Sequence, residues 1–101
     1  MKYKLLVAAL ISLLAIIGTA HAGGDASAGK QKANTCAGCH GADGKGVAPN
    51  PALAGMKQSD FVAKLKAYKS GAKANPVMKT FADPLSDKDM ADLAAYYASL
   101  K

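Results

Sequence analysis

A five-residue run, Cys36-Ala37-Gly38-Cys39-His40, constrains this chain more than any other feature. Two cysteines separated by two residues and followed at once by a histidine form the pattern of a covalent haem attachment site. Each thiol can add to one haem vinyl group, and the imidazole is then carried under the ring, where it can bind the iron. We therefore predict one haem c per chain, attached through Cys36 and Cys39, with His40 as an axial iron ligand.

Three other interpretations of this motif compete with haem attachment. A disulfide of the thioredoxin type requires a strand-helix-strand setting, and the chain shows no apolar alternation of period two that would indicate strands. A zinc site requires four ligands, and outside the motif only His21 and the acidic residues remain. A chance match is weakened by the rest of the chain, which has the pattern of a small, exported, helical protein.

Residues 1–22 have the pattern of a secretory signal peptide. A lysine-containing start is followed by an almost uninterrupted apolar run over 5–20, and Ala20-His21-Ala22 is a small-residue cleavage signal. The alternative is an uncleaved membrane anchor, but as a helix the run would span only about 24 Å, against a hydrocarbon core of roughly 30 Å. We predict that residues 1–22 are removed, leaving one periplasmic domain over 23–101 without stable membrane insertion.

The remaining chain predicts a small all-α domain. Its first helix is capped by Asp25 and runs into the cysteine motif. The second helix begins after Ser59 and ends at Gly71, and the third begins at Ser86 with a carboxylate three residues on, as in a capping box. The Gly- and Pro-rich residues 41–55 predict a compact loop. Large apolar side chains are few, and a domain this small usually needs a staple, which a covalent haem would supply.

The second axial ligand decides whether the predicted haem is closed or open to small molecules. Four side chains compete for this position, namely those of His21, Met56, Met78 and Met90. His21 should leave with the signal peptide, Met56 should pack as the loop closes, and Met90 lies on the apolar stripe of the last helix. Met78 follows Asn75-Pro76 in a segment that looks irregular, from which a side chain can reach the iron. We predict Met78 as the ligand, with Met56 and an open or otherwise filled site as the alternatives.

Charge is unevenly distributed along the chain. The 13 basic residues are all lysine and the 7 acidic residues are all aspartate. Six lysines stand against one aspartate over residues 57–79, whereas four aspartates stand against one lysine over 83–92. Such a field can steer a protein onto an acidic partner, and Lys73 and Lys79 flank the segment that carries Met78. A nucleic-acid partner is not expected, because the chain has no arginine and is predicted to be exported.

With these pieces together, the chain resembles the class I bacterial cytochromes c of the short mono-haem periplasmic type, and is similar to one half of the dihaem periplasmic cytochromes. The resemblance implies crossed N- and C-terminal helices around one haem, with Gly29 and Ala33 meeting the face formed by residues 93–97. It also implies that the Pro51 carbonyl accepts a hydrogen bond from the second ring nitrogen of His40. The resemblance is carried by Gly29, CAGCHGADGKG (36–46), PALAG (51–55), YKSG (68–71), NPVM (75–78), LSD (85–87) and DLAAYY (92–97).

The chain departs from some of these relatives in two respects. It has one haem motif, and it lacks the extra cysteine pair that some relatives carry. The resemblance implies a monomeric one-electron carrier between a reductase and an oxidase or other haem acceptor. We do not expect an enzyme, because the sequence shows no general base or nucleophile pattern. The alternatives are a haem subunit of a dehydrogenase complex and a haem sensor that binds gases.

Overall fold

A computed structural model describes residues 23–100 of the chain, so the predicted signal peptide lies outside the described residues. In this range the chain forms five helices joined by turns and loops, and the one pairing of extended backbone is an isolated bridge between Val47 and Asn50. None of these helices combines the length and the apolar character needed to cross a membrane. The all-α prediction is confirmed. The helices are α1 (Ala26–Lys32), α2 (Asn34–His40), α3 (Gln58–Ser70), α4 (Pro76–Ala82) and α5 (Asp87–Ser99).

The first predicted helix is divided in two. Asp25 caps α1 as expected, because its side chain accepts hydrogen bonds from the backbone N–H groups of Ser27 and Ala28. The helix then ends at a single turn residue, Ala33, and α2 begins directly after it. The Thr35 hydroxyl donates to the Lys32 carbonyl oxygen at 3.2 Å. Such local side-chain bonds compete with a continuous helix, which accounts for the break that the sequence prediction missed.

Helix α1 packs directly on α5, and Gly29 makes this close approach possible. A Cβ atom at Gly29 would lie 2.0 Å from the Asp92 carbonyl oxygen and 2.8 Å from Cβ of Tyr96. Gly24 is equally close, since a Cβ there would lie 1.9 Å from the Ala91 carbonyl oxygen. Any larger residue at these two positions would force the helices apart, so the contact between the two terminal helices implied by the resemblance is present.

The predicted start of α5 and the predicted end of α3 are both observed. The capping box of α5 is formed, with Ser86 and Asp89 each bonding the other's backbone N–H. Helix α3 ends at Gly71 in the left-handed conformation (φ 85°), as predicted.

The core lies between α3 and α5. The rings of Phe61 and Tyr97 stack with centroids 5.5 Å apart. The buried apolar side chains of the two helices are Phe61, Leu65, Met90, Leu93, Ala94 and Tyr97.

A buried carboxylate joins the two ends of the described chain. Asp92 is 1 % exposed, and its Oδ1 accepts the backbone N–H of Asp25 at 2.8 Å. Its Oδ2 accepts from Nζ of Lys32 at 2.6 Å and from Nζ of Lys88 at 2.8 Å. These donors hold the pKa of Asp92 well below its usual range. In the sequence Asp92 is one of the four aspartates of the acidic stretch over 83–92, whereas in the structure it is an internal connection.

The predicted compact loop over residues 41–55 is closed against α5. The Gly44 carbonyl oxygen accepts from the backbone N–H groups of Leu53 at 2.6 Å and Ala54 at 2.9 Å. The N–H of Gly55 donates to the Tyr97 carbonyl oxygen at 2.8 Å. Gly44 has a positive φ of 71°, and a Cβ atom there would lie 2.8 Å from the Tyr97 ring. The loop therefore forms a fixed wall beside the last helix.

The segment that carries Met78 is helical, which corrects the expectation of irregular backbone. Asn75 caps α4, because its Oδ1 accepts the backbone N–H of Met78 at 3.0 Å. Pro76 follows the cap, where its fixed φ suits a helix start and its missing N–H costs nothing. A helix of 7 residues offers little apolar periodicity, so the cap and the proline were the available signals.

Candidate functional site

One cleft brings the predicted site residues together. Its volume is about 400 Å³, and its walls come from α2, the 41–55 loop, α3, α4 and the turn that precedes α4. Cys36, Cys39, His40 and Met78 all line it. The remaining lining residues are Pro49, Asn50, Pro51, Leu53, Met56, Phe61, Lys64, Leu65, Tyr68, Lys73, Asn75, Val77 and Phe81.

The two cysteines occupy one side of this cleft on successive turns of α2. Both thiols are free, with Cys36 half-buried and Cys39 exposed. Burial raises the pKa of the Cys36 thiol, and hydrogen bonds from Thr35 and Tyr97 oppose this effect. The structure therefore presents two unpaired thiols at a mostly apolar cleft, an arrangement that can form thioether bonds to a group seated there.

The imidazole of His40 is buried and held by a single backbone acceptor. Its Nδ1 lies 2.7 Å from the Pro51 carbonyl oxygen, as the resemblance implied. A carbonyl oxygen only accepts, so Nδ1 carries a proton, and in the neutral ring the lone pair for a metal is then on Nε2. Hydrogen bonding of one ring nitrogen orients a histidine and increases the basicity of the other nitrogen towards a metal.

Two further hydrogen bonds fasten the 41–55 loop to the cysteine motif. The side-chain amide of Asn50 donates to the Cys39 carbonyl oxygen at 2.9 Å. The N–H of Gly46 donates to the His40 carbonyl oxygen at 2.8 Å. The sequence analysis did not identify Asn50. Its position as a polar side chain directly before Pro51, within an otherwise apolar Pro-rich stretch, was the signal that could have identified it.

The structure divides the three methionines of residues 23–100 between the cleft and the core. Met90 is 1 % exposed and packs in the core without lining the cleft, in line with its position on the apolar stripe of α5. Met78 and Met56 both line the cleft and are both half-buried. Since Met78 and Met56 both line the cleft, the assignment of Met78 as the second axial ligand stays a prediction.

Among residues 23–100, the charged side chains that line the cleft are those of two lysines, Lys64 and Lys73. Nζ of Lys73 lies 5.3 Å from the centre of the Tyr68 ring, within cation–π distance. Lys79, expected beside Lys73, instead pairs with Asp83 at 2.9 Å and donates to the Lys69 carbonyl oxygen at 2.9 Å. Of the two lysines predicted to flank the site, only Lys73 lines the cleft.

These donors fit a haem better than a bare metal ion. Two free thiols, one imidazole with an available Nε2 and two thioethers surround a cleft with aliphatic and aromatic walls. The cationic Lys64 and Lys73 complement the two haem carboxylates in charge. Within residues 23–100, no group of three or more histidine, cysteine or acidic side chains is arranged to hold a metal ion.

Comparison with known proteins gives relatives of two lengths. The chain is 46% identical over 99 residues to cytochrome c4 of Pseudomonas aeruginosa, covering 97% of this chain and 49% of that protein. It is 45% identical over 80 residues to cytochrome c-554(548) of Halomonas halodenitrificans, covering 75% of this chain and 96% of that protein. The chain thus spans about half the length of its cytochrome c4 relatives and nearly all of the shorter one.

Further similarities lie in an electron acceptor and a solved structure. The "Thiosulfate dehydrogenase electron acceptor" of Thiomonas intermedia is 39% identical over 77 residues, covering 74% of this chain and 36% of that protein. The cytochrome c4 structure from Acidithiobacillus ferrooxidans superposes with a TM-score of 0.73 at 35% identity, covering 82% of this chain and 52% of that chain. The class I cytochrome c fold implied by the resemblance is confirmed.

The family model "Cytochrome c" matches residues 26–101. This range contains α1 to α5, the cysteine motif and every residue that lines the cleft. The chain therefore belongs to the cytochrome c family, whose cofactor is covalently bound haem c.

Proposed function

We propose that the chain is an exported one-electron carrier. Haem c would be attached through Cys36 and Cys39, with His40 and Met78 as the axial iron ligands. When bound, haem c supplies an Fe(III)/Fe(II) couple that gains or loses one electron without a chemical change in the protein. Export through residues 1–22 and a periplasmic location belong to the same proposal, supported by the sequence pattern of that segment.

The observation that carries the proposal is that both ligand-bearing segments are independently held. His40 is fixed from one side by the Pro51 carbonyl at 2.7 Å. The backbone that carries Met78 is fixed by the Asn75 cap at the start of α4, through a hydrogen bond of 3.0 Å from the Met78 N–H to Asn75 Oδ1. Segments that are held in this way need little backbone rearrangement when the charge at the site changes by one, and low reorganisation suits electron transfer.

The walls of the cleft support a carrier more than an enzyme. Phe61 and Leu65 are buried and form an apolar side, which excludes water from the bound group. Within the described range 23–100 no aspartate lines the cleft, so this part of the chain places no carboxylate there for acid–base chemistry. Val77 and Phe81, 61% and 41% exposed, lie at its accessible edge, where a redox partner could approach.

Covalent attachment is tested by expressing residues 1–101 in a host that matures c-type cytochromes. We expect the haem to stay with the polypeptide after denaturation and acid extraction, and the intact mass to equal residues 23–101 plus one haem. Cys36→Ser and Cys39→Ser should each remove one thioether bond. Freely extractable haem in the parent protein would refute attachment, and a mass that includes residues 1–22 would refute cleavage.

Met78 and Met56 are separated by matched alanine variants. The oxidised protein with a methionine ligand should show a weak far-red absorption band, and the reduced protein should take up carbon monoxide slowly. Met78→Ala should abolish the band and speed carbon monoxide uptake, whereas Met56→Ala should leave both unchanged. The reverse result would transfer the ligand role to Met56. Rapid carbon monoxide uptake by the unchanged protein would favour the haem sensor instead.

A second candidate function is that of an electron-accepting haem subunit in a fixed enzyme complex. It is favoured by the similarity to the thiosulfate dehydrogenase electron acceptor of Thiomonas intermedia. The two candidates differ in the mass of the native particle. A carrier should elute from a size-exclusion column at the mass of the mature chain with one haem, whereas a fixed subunit should co-elute with an enzyme at constant ratio.

A further inference from the structure

The cysteine motif and the loop opposite it are joined by two hydrogen bonds in register. The side-chain amide of Asn50 donates to the carbonyl oxygen of Cys39 at 2.9 Å. His40 donates from Nδ1 to the carbonyl oxygen of Pro51 at 2.7 Å. The partners in each bond are 11 residues apart, and the two bonds join neighbouring residues on both segments. The position of the Asn50 side chain and that of the histidine acceptor are therefore coupled.

Pro51 cannot hold its own place through its backbone nitrogen. Proline has no N–H group, so the peptide unit before its carbonyl can make no donor contact with α2. The residue directly before Pro51 is Asn50, and its side-chain amide reaches α2. The backbone N–H of Asn50 does not, because it donates to the Val47 carbonyl oxygen at 2.8 Å in a turn. The Asn50 amide is thus the contact nearest in sequence that can set the distance between Pro51 and His40.

We propose that Asn50 is a positioning residue for the histidine ligand. By anchoring the loop to the Cys39 carbonyl, its amide keeps the Pro51 carbonyl within hydrogen-bond distance of Nδ1 of His40. That bond sets how strongly Nε2 donates electrons to a bound iron. Asn50 thereby adjusts the reduction potential without touching the metal. This inference rests on the proposed function, because it concerns a potential that only the haem-bearing protein has.

The expected direction of the effect follows from the donor strength of the imidazole. The loop is also held to the motif by the bond from the Gly46 N–H to the His40 carbonyl oxygen, but Asn50 is the anchor beside Pro51. If Asn50 loses its amide, this end of the loop loses that anchor and the bond from Nδ1 to Pro51 weakens. His40 then becomes a poorer donor, and the oxidised iron loses more stabilisation than the reduced iron. The reduction potential should rise. The Nδ1 proton of His40 should also exchange with solvent faster, because its acceptor no longer shields it.

The test compares three single variants of the haem-bearing protein. Asn50→Ala removes the amide, Asn50→Gln retains it on a longer side chain, and Asn34→Ala removes an exposed asparagine from α2 as the matched control. The two readouts are the equilibrium reduction potential and the exchange rate of the His40 Nδ1 proton, measured by NMR on the reduced protein. A merely structural role would lower the melting temperature without changing either readout.

We expect Asn50→Ala to raise the potential and to accelerate proton exchange at least tenfold. Asn50→Gln should bring the potential and the exchange rate part of the way back to the parent values, and Asn34→Ala should match the parent protein in both. If Asn50→Ala folds and leaves both readouts unchanged, the proposal is wrong. If Asn50→Ala yields no haem-bearing protein, Asn50→Ser replaces it with the same readouts; loss of the haem-bearing protein in all three Asn50 variants would also contradict the amide's role.

Failure of this inference and failure of the proposed function give different results. A parent protein without a reversible one-electron couple would overturn the proposed function before any variant is compared. A parent protein with such a couple, together with an Asn50→Ala variant of identical potential and proton exchange, would overturn only the role of Asn50.

Discussion

Nζ of Lys32 lies 2.6 Å from Oδ2 of Asp92 and joins α1 to α5 at a point where the carboxylate is almost completely buried. The same ammonium lies 2.8 Å from Oδ1 of Asp89, and Lys88 adds a second cation to the group. A buried charge is tolerated when donors surround it, and removing one member leaves the others without compensation. This relationship makes the contact between the helices depend on four charged side chains.

The first prediction is that Asp92→Asn lowers the free energy of unfolding more than any change at an exposed ion pair. An asparagine keeps the shape but loses the charge that Lys32 and Lys88 require. The matched control is Asp83→Asn, which removes the exposed partner of Lys79 and should have little effect. Urea denaturation of the haem-bearing proteins measures both. Equal effects at the two positions would show that burial of Asp92 adds nothing.

The second prediction concerns acid. The native pKa of Asp92 lies well below its usual range and that of Asp89 is lowered to about 2, mainly by Lys32 at Asp89 and by the Asp25 N–H at Asp92. The unfolded carboxyls titrate near pH 4, so the unfolded state binds more protons below that pH. The stabilisation is complete above about pH 5 and is lost as the pH falls below 4.

This acid dependence is measured as the urea midpoint of the parent protein and of Asp92→Asn between pH 7 and pH 2.5. The parent protein should lose stability steeply below pH 4, and the variant should show a shallower decline from a lower starting value. Parallel curves for the two proteins would show that Asp92 makes no contribution to the acid transition.

The third prediction is that Gly29→Ala destabilises the fold although alanine favours helices. Helix propensity alone would stabilise by about 1 kcal/mol. The added Cβ would lie 2.0 Å from the Asp92 carbonyl oxygen, and overpacking of this kind typically costs about 1–3 kcal/mol. The control is Ser27→Ala, at an exposed position of the same helix. A Gly29→Ala variant more stable than its parent would show that α1 and α5 can separate freely.

The fourth prediction separates the roles of two methionines. Met90→Ala should cost about 2–5 kcal/mol, because it leaves a cavity in the core, and should leave the far-red band in place. Met78→Ala should remove the band at a smaller cost in stability, because Met78 is only half-buried. Thermal denaturation and the oxidised absorption spectrum are measured on both. Loss of the band in Met90→Ala would contradict its assignment to the core.

The fifth prediction concerns the charge at the cleft. Lys73 lines the cleft and Lys79 does not, so Lys73→Gln should slow reduction of hexacyanoferrate(III), an anion, more than Lys79→Gln does. The difference should shrink as salt is added, since the Debye length falls from about 30 Å at 0.01 M to about 3 Å at 1 M. With a cationic cobalt(III) phenanthroline complex as the oxidant, the Lys73→Gln variant should instead react faster than the Lys79→Gln variant. Rates independent of salt would favour an apolar docking surface.

The sequence predicted the local features of this fold well, because their causes lie within a few residues. Asp25, Ser86 and Gly71 begin or end helices through bonds to their own neighbourhood. The cysteine motif predicted the position of the cleft for the same reason, since Cys36, Cys39 and His40 all lie on α2 and line the cleft. The resemblance to the class I cytochromes c implied the contact of His40 with Pro51, and the structure gives its length, 2.7 Å.

The features that sequence reasoning missed depend on partners far along the chain. Asp92 looks like a surface aspartate until Asp25 and Lys32, 67 and 60 residues away, are placed against it. Asn50 stands out only as a polar residue before Pro51, and its partner is a backbone carbonyl on α2, 11 residues away. Helix α4 is too short for a periodic signal, and its start is marked only by the Asn75 cap and Pro76. For Asp92 and Asn50 the deciding information lies in the tertiary arrangement.

The packing of α1 on α5 also has a consequence for how the chain folds. The hydrogen bond from Asp25 to Asp92 closes a loop of 67 residues, and closing such a loop costs about 4 kcal/mol of chain entropy before any contact repays it. Helix α1 presents mostly small side chains and is too short to be stable alone. The partner of the first helix is therefore the last one, so a chain that stops before the thirteen-residue α5 lacks the surface on which α1 packs. Helix α1 can take its native place only after α5 is available.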